Sequence, residues 1–533
     1  MPEKKITYSK SYAGVSTQNP EYTYRSKQWK EIRDCVEGNP AIKRAGEVYL
    51  PRMSGMTDPR YEAYKNRAIF VNYVEQTLMG THGMIFRRRP TVEIPKQIED
   101  IINNIDRKGN SLYQFLSDSV LDMMQTCFGG FLIDVSAVGT NLTVFEADKQ
   151  GIRPYVTYYK AESIINWKFK VVNGTMVPRV VVLKELVEEN PEDMFSHELV
   201  EQYRVLCFDE NDNYQQLLIR VYESQDKDEE PRYEVEERPF FYKNKKIKYI
   251  PFVFAPYDVP EKPMLLDIAD VNIGHYMMTA DYKNGVHLTT LPTGYTTGHK
   301  PEVDANGNVM PVLLGADQFL QLEEEGAKVG ILNYSGEGLT HNENALNSAE
   351  LQMVVLGSRI ITPEKGISET AESANIHRAG ENAKLASFAN NVSDRITRVL
   401  KMICELEGID ERVSVQLCTD YETQGFDANT LNAMANIFSQ GKMPLYVLYS
   451  MMMRGEFLSP DMTYEDYVTL LDLEASGMTP QEVFDSYKIF KQNGKVIMKK
   501  TSSGNNQTDN STAKKTAVNP VNPDNAKVDG TIE

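Results

Sequence analysis

The stretch from Met264 to Glu407 most constrains the fold, because three helical patterns are ordered there around a non-helical insert and a loop. The first pattern runs from Met264 to Gly285, with apolar residues every three or four positions along one helix face. The second runs from His341 to Ile361 with the same period. The third, Ser368 to Gly408, would be roughly 60 Å long if unbroken. This order is typical of a mechanical scaffold rather than of a catalytic pocket.

The insert between the first two helices, Val286 to Gly338, is predicted to be a small β module. Glycine turns separate short apolar runs, which favours strands joined by turns. The turns lie at Gly294, Gly298, Asn306-Gly307 and Gly326, and the strands are predicted over Met310–Leu314, Gln318–Leu322 and Lys328–Tyr334.

The loop before the third helix begins with the sequence Thr362-Pro363-Glu364-Lys365-Gly366. Proline disfavours a helical residue before it and removes a donor, while glycine lets the backbone turn. Ser368 can then cap the third helix. A step of three and four residues places one apolar face on that helix, at Phe388, Val392, Ile396, Val399 and Ile403.

This connectivity resembles the portal (head-to-tail connector) protein of tailed double-stranded DNA phages. In that family two stem helices flank a clip, and a tunnel loop leads into a long wing helix. Shorter segments follow the order of one podovirus-type subfamily and extend the resemblance from Trp29 to Ser476. They are Trp29–Asp34, Tyr49–Arg52, Arg67-Ala68, Gly83–Arg87, Gly129–Asp134, Arg153–Tyr155, Ile165–Trp167 and Asn272–Tyr276.

The resemblance implies an α+β portal fold with a mixed α/β wing, a helical stem, a small β-rich clip, a long wing helix and a helical crown. The expected regions are a flexible N-terminal arm (1–24), the wing (25–259), stem helix 1 (260–285), the clip (286–338), stem helix 2 (339–361), the tunnel loop (362–369), the long wing helix with a return strand (370–426), the crown (427–499) and a disordered tail (500–533).

Periodicity predicts individual elements inside these regions. The predicted wing helices are Tyr61–Gly80 and Leu112–Cys127, and the predicted strands are Phe131–Val135, Tyr155–Tyr159, Arg179–Leu186, Leu199–Phe208, Gln216–Tyr222, Phe252–Phe254 and, after the long helix, Val413–Leu417. In the crown, helix starts are predicted at Asp427, at Ser459-Pro460 and at Thr479-Pro480.

By the same resemblance, the protein would form a ring of twelve subunits at one capsid vertex of a virion, assembled in the host cytoplasm. Its expected partners are double-stranded DNA in the channel, the terminase large subunit, the major capsid and scaffolding proteins, and adaptor or tail proteins. The tunnel loop would comprise Thr362, Pro363, Glu364, Lys365, Gly366, Ile367, Ser368 and Glu369.

Two further groups of residues are candidate contacts. Lys365, Lys283, Arg87, Arg88 and Arg89 are candidates for DNA contact, and Glu323, Glu324, Glu325, His299 and Lys300 for docking at the clip. Each has an ordinary alternative. The loop fits an interhelical connection equally well, the arginine run is typical of a solvated or acid-paired cluster, and the three glutamates are typical of a solvated turn.

The formal net charge of −18 disfavours a tight DNA binder, because such affinity comes mainly from Lys and Arg that neutralise phosphates. An acidic channel wall would instead repel phosphates and keep nonspecific contact low. The alternative is that the acidic surplus serves only solubility.

No motif for catalysis or cofactor binding stands out. The five cysteines are scattered without CxxC, which favours reduced, buried thiols, and the seven histidines form no metal-ligand spacing. There is no phosphate-binding loop, and Gly129-Gly130 precedes a strand without the helix that anion sites use, so close packing explains it better. No apolar run is long enough to span a bilayer. The sequence therefore predicts a structural protein without cofactor or metal; the alternatives are a head-tail adaptor or, less favoured, an enzyme on an α/β domain.

Overall fold

The computed structural model confirms the mixed α+β class. It describes residues 5–7, 12, 14–135, 152–190, 192–193, 195, 197–222, 232–243, 246–290, 293–298, 326–332, 336–357, 371–419, 421, 428–454, 457–458, 462–475 and 481–483. The chain divides into two compact units, one ending at Thr423 and the other beginning at Gln424. Each unit is described separately.

The helices of the first unit are α1 (Pro20–Glu37), α2 (Asn39–Ala45), α3 (Asp58–Arg67), α4 (Tyr73–Ile85), α5 (Glu99–Ile102), α6 (Leu112–Thr126), α7 (Leu266–Thr290), α8 (Glu337–Gly357) and α9 (Ala371–Glu407). Its strands are β1 (Lys5–Thr7), β2 (Thr91–Glu93), β3 (Gly129–Val135), β4 (Pro154–Lys160), β5 (Ile164–Val172), β6 (Thr175–Glu188), β7 (Leu199–Phe208), β8 (Tyr214–Tyr222), β9 (Arg232–Pro239), β10 (Phe252–Ala255), β11 (Thr293–Thr297), β12 (Lys328–Leu332) and β13 (Ser414–Gln416).

These strands form four antiparallel sheets. The largest has the order β1-β9-β8-β7-β6-β5, and a three-stranded sheet has the order β10-β3-β4. Strand β13 pairs with β2, and β11 pairs with β12. We call α1–α6, β2–β10, α9 and β13 the body, and α7 with α8 the helix pair.

The predicted flexible arm at residues 1–24 is wrong in part. Residues Lys5–Thr7 pair with β9, and α1 already begins at Pro20. The reason is a capping signal, because the Asn19 side chain accepts a hydrogen bond from the Glu21 amide and proline occupies the first helical turn. Asn19 also donates its backbone N–H to the Ile165 carbonyl, which fixes the start of α1 on the body.

The predicted single helix over Tyr61–Gly80 is two helices, α3 and α4. The chain leaves the helical conformation between them because Asn72 caps α4, its side chain accepting a hydrogen bond from the Glu75 amide. Ala68 and Phe70 in the connection are buried. The apolar period continues across the break that Asn72 imposes, which is why the sequence predicted one helix instead of two.

Besides β1, the six-stranded sheet holds two strands that the sequence did not predict, β5 and β9. Strands β5 and β6 are joined by Asn173-Gly174, both with positive φ, and Val172 pairs directly with Thr175. That is the two-residue Asn-Gly hairpin turn. The other wing strands were located within a few residues, and Leu199–Phe208 matches β7.

An aromatic cluster joins helices and sheets in the core. Trp29 on α1 is fully buried, stacks on Phe128 at 6.1 Å between ring centroids and donates its indole N–H to the Thr126 carbonyl. Phe128 also contacts Trp167 of β5 and Phe254 of β10. The core therefore lies where α1, the end of α6 and both larger sheets meet.

The long helix α9 confirms the predicted apolar face, since Phe388, Val392, Ile396, Val399 and Ile403 are all fully buried. The return strand follows it as β13 and is attached through hydroxyl groups. The Val415 amide donates to Thr397 Oγ1, and the Leu417 amide donates to Ser393 Oγ.

The second unit contains α10 (Ala428–Ser439), α11 (Leu445–Arg454) and α12 (Tyr464–Ala475). The predicted start of the last helix near Ser459 is wrong, because Thr463 caps it. The Asp466 amide donates to Thr463 Oγ1, and the Thr463 amide donates back to the Asp466 carboxylate. The helix start predicted at Thr479-Pro480 lies outside the described residues, as does the tail at 500–533.

A buried ionic network joins the six-stranded sheet to the three-stranded one. Arg204 of β7 makes two hydrogen bonds to the Glu185 carboxylate, at 2.7 and 3.3 Å, and one to Gln216. Its guanidinium also lies 3.6 Å from Asp134 of β3, which accepts the Gln216 amide. Burial raises the pKa of Asp134 even though Arg204 opposes the shift.

We predict that Arg204→Met lowers the free energy of unfolding by about 3–5 kcal/mol at neutral pH, because two buried carboxylates lose their cation. Urea titration followed by the fluorescence of the chain's two tryptophans, Trp29 and Trp167, measures this in the body. The matched control is Arg238→Met on β9, whose pair with Glu236 is more exposed and should contribute less than about 1 kcal/mol. Equal losses in both variants would contradict the role of the network.

Candidate functional site

The helix pair consists of two antiparallel helices with a strand pair beyond one end. The first helix ends at Thr290 rather than at Gly285, so the insert begins later than the sequence predicted. The second is described from Glu337 to Gly357, one turn ahead of the predicted His341 start. The first helix continues because Val286 and His287 extend its pattern, and the Thr290 hydroxyl donates to the Val286 carbonyl.

A buried amide fixes α7 to the body. Asn272 is fully buried, and its side chain donates to the Val71 carbonyl at 2.8 Å and accepts from the Tyr73 amide at 3.2 Å. Val71 lies in the connection before α4 and Tyr73 is the first residue of α4, and the Tyr73 amide also donates to the Val71 carbonyl at 3.1 Å. One side chain therefore bonds to both partly buried backbone groups of this turn and sets the position of α7.

Three more contacts extend this anchor along α7. Tyr276 packs edge-on against Phe70 at 6.1 Å. Further along, the Tyr64 hydroxyl donates to Asp281 at 2.6 Å, and Arg67 donates to Asn284 at 3.3 Å. The body thus holds α7 over several turns.

The two helices pack closely at glycines. A Cβ on Gly285 would lie 2.7 Å from the Leu339 side chain, and one on Gly357 would lie 2.3 Å from Thr77 Oγ1 of α4 and 3.2 Å from Ile268. The end of α8 is therefore wedged against both α7 and the body. Glycine is required at Gly357 because Thr77 occupies the space of a side chain.

A buried histidine lies between the helices. His275 Nε2 lies 3.4 Å from a carboxylate oxygen of Glu350 on α8, and Tyr73 packs edge-on against the ring. Its Nδ1 is buried without a partner among the described residues. Burial lowers the pKa of His275, and Glu350 opposes the shift. The contact between His275 and Glu350 therefore joins a neutral imidazole to a carboxylate.

The helix pair is acidic. Helix α7 carries three aspartates and one lysine, Lys283, and α8 carries three glutamates and no lysine or arginine. Lys283 is exposed. This arrangement repels phosphate along most of both helices.

Helix α8 presents apolar side chains on the side away from its buried residues. Ala349 and Met353 are buried, whereas Leu351 is 56% exposed and Val355 36% exposed. We call Leu351 and Val355 the apolar stripe. Exposed apolar side chains that lie together often mark a surface that another protein contacts.

The strand pair beyond the helices is also exposed. Strands β11 and β12 pair over five residues each, and the ring of Tyr295 covers Gly330. Ile331 and Leu332 are exposed, and both strands lack a further neighbour in the part of the insert that the structure describes. Open strand edges are ready to pair with another chain.

Most of the predicted contact residues lie outside the described residues. These are the tunnel-loop residues 362–369, including Lys365, the docking candidates Glu323, Glu324, Glu325, His299 and Lys300, and the predicted strands Met310–Leu314 and Gln318–Leu322. Their roles stay predictions. The described strand β12 confirms the run predicted from Lys328, ending at Leu332.

The arginine run follows the end of α4. Arg89 is exposed and lies 5.9 Å from the centre of the Tyr113 ring, a cation–π contact. Arg87 and Arg88 are half-buried and engaged in contacts. The role of the run in DNA contact stays a prediction.

The close-packing interpretation of Gly129-Gly130 is confirmed. A Cβ on Gly129 would lie 2.6 Å from the Tyr158 hydroxyl, and one on Gly130 would lie 2.2 Å from the Phe252 ring. The predicted burial of the cysteines holds for Cys35, Cys127 and Cys404, whereas Cys207 and Cys418 are half-buried. Within the described ranges, no three His, Cys, Asp or Glu side chains are placed to hold a metal ion, and no helix is long and apolar enough to cross a bilayer.

The comparisons with known proteins cover different parts of the chain. Residues 264–406 match a family described as a domain of unknown function, DUF4055, which spans the helix pair and nearly all of α9. No curated protein sequence matches the chain.

Two solved structures are similar in part. They are a chain from the neck of an empty GTA particle computed with C6 symmetry (TM-score 0.30) and one from the neck of a native GTA particle computed with C12 symmetry (TM-score 0.28). Each is 10% identical and covers 70% of this chain and 86% of its own.

We predict that Asn272→Leu frees α7 from the body. The variant loses two hydrogen bonds between α7 and the turn at Val71 and Tyr73, which contribute about 0.5–1.5 kcal/mol each. Amide hydrogen exchange should then speed up in the first half of α7. The control is Asn347→Leu on the exposed side of α8, which should leave exchange in α7 unchanged. Unaltered exchange in Asn272→Leu would remove Asn272 from the anchor.

A carboxyl pair between α1 and α7 predicts a pH dependence. Burial, with a hydrogen bond to Asp270, raises the pKa of Glu31 from 4.5 to about 7. The folded protein therefore binds the proton more tightly than the unfolded chain, so this stabilisation is complete below pH 4.5 and is lost as the pH rises to about 7.

Glu31→Gln keeps a donor for Asp270 without the charge. We predict a higher unfolding temperature than the parent's above about pH 7 and no difference below about pH 4.5. Differential scanning calorimetry across that range measures this. Glu343→Gln, at an exposed position on α8, is the matched control and should show no pH-dependent difference. A constant offset for Glu31→Gln at every pH would contradict the assignment.

Proposed function

We propose that this chain is the portal subunit of a tailed double-stranded DNA phage or phage-like particle, and that it acts as a ring-forming structural connector in the virion. The observation that carries the proposal is the helix pair. It is fixed to the body at one end, it carries a strand pair at the other, and α8 exposes an apolar stripe that a monomer would leave in water.

Ring closure accounts for that stripe. In a cyclic assembly each subunit uses two different surfaces, so an apolar stripe on one copy is covered by another surface of its neighbour. The open edges of β11 and β12 offer a second contact between copies, since strand edges pair readily. A helix pair with a rigid anchor keeps the same angle in every copy, which a closed ring requires.

The acidic character of the helix pair fits a conduit for DNA. A wall that repels phosphate allows the duplex to move, because binding strength comes from cations that replace counterions. Lys283, repeated around a ring, would supply a single positive band among six acidic side chains of each copy's helix pair.

In this role the ring lies at one capsid vertex, with duplex DNA in its bore. The insert at residues 286–338 docks the terminase large subunit during packaging and an adaptor or tail protein afterwards. The body contacts the major capsid and scaffolding proteins. The loop at residues 362–369 lines the bore and places Lys365 near the DNA.

We predict that the purified protein forms a ring of about twelve subunits by native mass spectrometry and negative-stain imaging. The double substitution Leu351→Asp with Val355→Asp should leave a folded monomer, because charges replace the apolar contact. Gln352→Asp, an exposed neighbour on α8, is the control and should keep the ring. A parent protein that stays monomeric at all concentrations would overturn the proposal, and rings formed by the double variant would remove the stripe from the interface.

A further inference from the structure

A cleft of about 570 Å³ lies in the body, far in sequence from the helix pair. One wall is a face of α6, with Phe115, Asp118 and Asp122, and the other is strand β4, from Val156 to Lys160. The loop carrying Asp106, Lys108 and Asn110 closes one end. A cleft of this size is large enough for a ligand that both walls contact.

Strand β4 is an edge strand, since its sheet has the order β10-β3-β4. The Val156 amide points away from β3, because it donates to the Ile105 carbonyl at 2.9 Å. Backbone groups alternate along a strand, so the N–H and C=O of Tyr158 and the N–H of Lys160 also point outward. Among the described residues these groups have no hydrogen-bond partner.

The charges of the cleft are unevenly paired. Arg33 is held by Glu162 and by Asp122, and Lys160 lies 3.6 Å from Asp122. Asp118 accepts only the Gln114 side-chain amide at 2.8 Å and forms no ion pair with lysine or arginine in the described part of the chain. The Asp106 carboxylate accepts the Lys108 and Asn110 amides and the Asn110 side chain, so Asp118 is the lining carboxylate with the fewest partners among the described residues.

The geometry points to a docking groove for an extended, basic peptide segment of a partner protein, which would pair with the free edge of β4 and place a cationic side chain against Asp118. Backbone pairing to an open edge beside a helix supplies affinity without a fixed sequence. The Ile105 carbonyl already occupies the first outward position, so the segment continues a pattern that the fold begins. The net charge of −18 attracts a basic segment over longer distances. The inference does not depend on ring formation.

The test uses the full chain and a fluorescent, capped peptide of alternating lysine and valine as the probe, followed by anisotropy. We expect saturable binding, weakened by about tenfold or more, roughly 1.4 kcal/mol, when the peptide backbone is N-methylated on its pairing edge. A glutamate–valine peptide should not bind. Asp118→Asn should weaken the lysine probe and reduce its sensitivity to salt.

Two variants separate the edge from the surface charge. Lys160→Pro removes the outward N–H and should weaken binding strongly, whereas Lys160→Ala keeps that N–H and should not. Hydrogen exchange supplies a readout in the parent protein, because the probe should slow exchange of the Tyr158 and Lys160 amides. Equal binding of the N-methylated probe, no binding at all, or unchanged exchange at these amides would overturn the inference.

Discussion

The buried amide of Asn272 is the contact on which the arrangement of the first unit depends. It bonds to the Val71 carbonyl and the Tyr73 amide, two groups of the turn that separates α3 from α4. Those groups also bond to each other at 3.1 Å, so the amide binds a turn that already has one internal hydrogen bond. Each of the two hydrogen bonds that Asn272 makes contributes about 0.5–1.5 kcal/mol, and both hold α7 against this turn. The direction of the helix pair follows from the turn and the anchor together.

The body supports this anchor through contacts of two kinds. Aromatic packing around Phe128 brings α1, α6 and the sheets together, but burial of apolar surface does not by itself fix their relative orientation. The Arg204 network adds direction, because a guanidinium that binds Glu185 and lies near Asp134 fixes the angle between two sheets. Apolar area supplies most of the driving force, and the buried ions select one arrangement of the layers. Glu31 and Asp270 add a weaker, proton-dependent link between α1 and α7.

The sequence predicted the elements with strong periods and missed those set by single residues. The apolar face of α9 was clear because five large side chains repeat along one side of a long helix. Single residues set the other elements: Asn19-Pro20 starts α1 inside the predicted arm, and Asn173-Gly174 forms the hairpin turn between β5 and β6. The role of Asn272 had no local signal, since its partners lie about two hundred residues away in the chain. The sequence could not predict the apolar stripe on α8 either. The apolar period identifies a helix face, but only the packing of α8 against its neighbours decides which apolar side chains stay exposed.

The helix pair carries two surface properties that the proposed DNA-conducting ring would combine. Its acidic side chains keep phosphate away, whereas its apolar stripe favours contact with another protein. On one helix these properties must lie on different sides, because a charge inside a protein contact costs more than it contributes unless it is paired. In α8 the stripe and the buried side are distinct, and Glu350 lies toward α7, where it contacts His275. Glu343 remains exposed to solvent. In the proposed ring, a neighbouring copy would cover the stripe of α8, and Glu343 would remain free to repel phosphate.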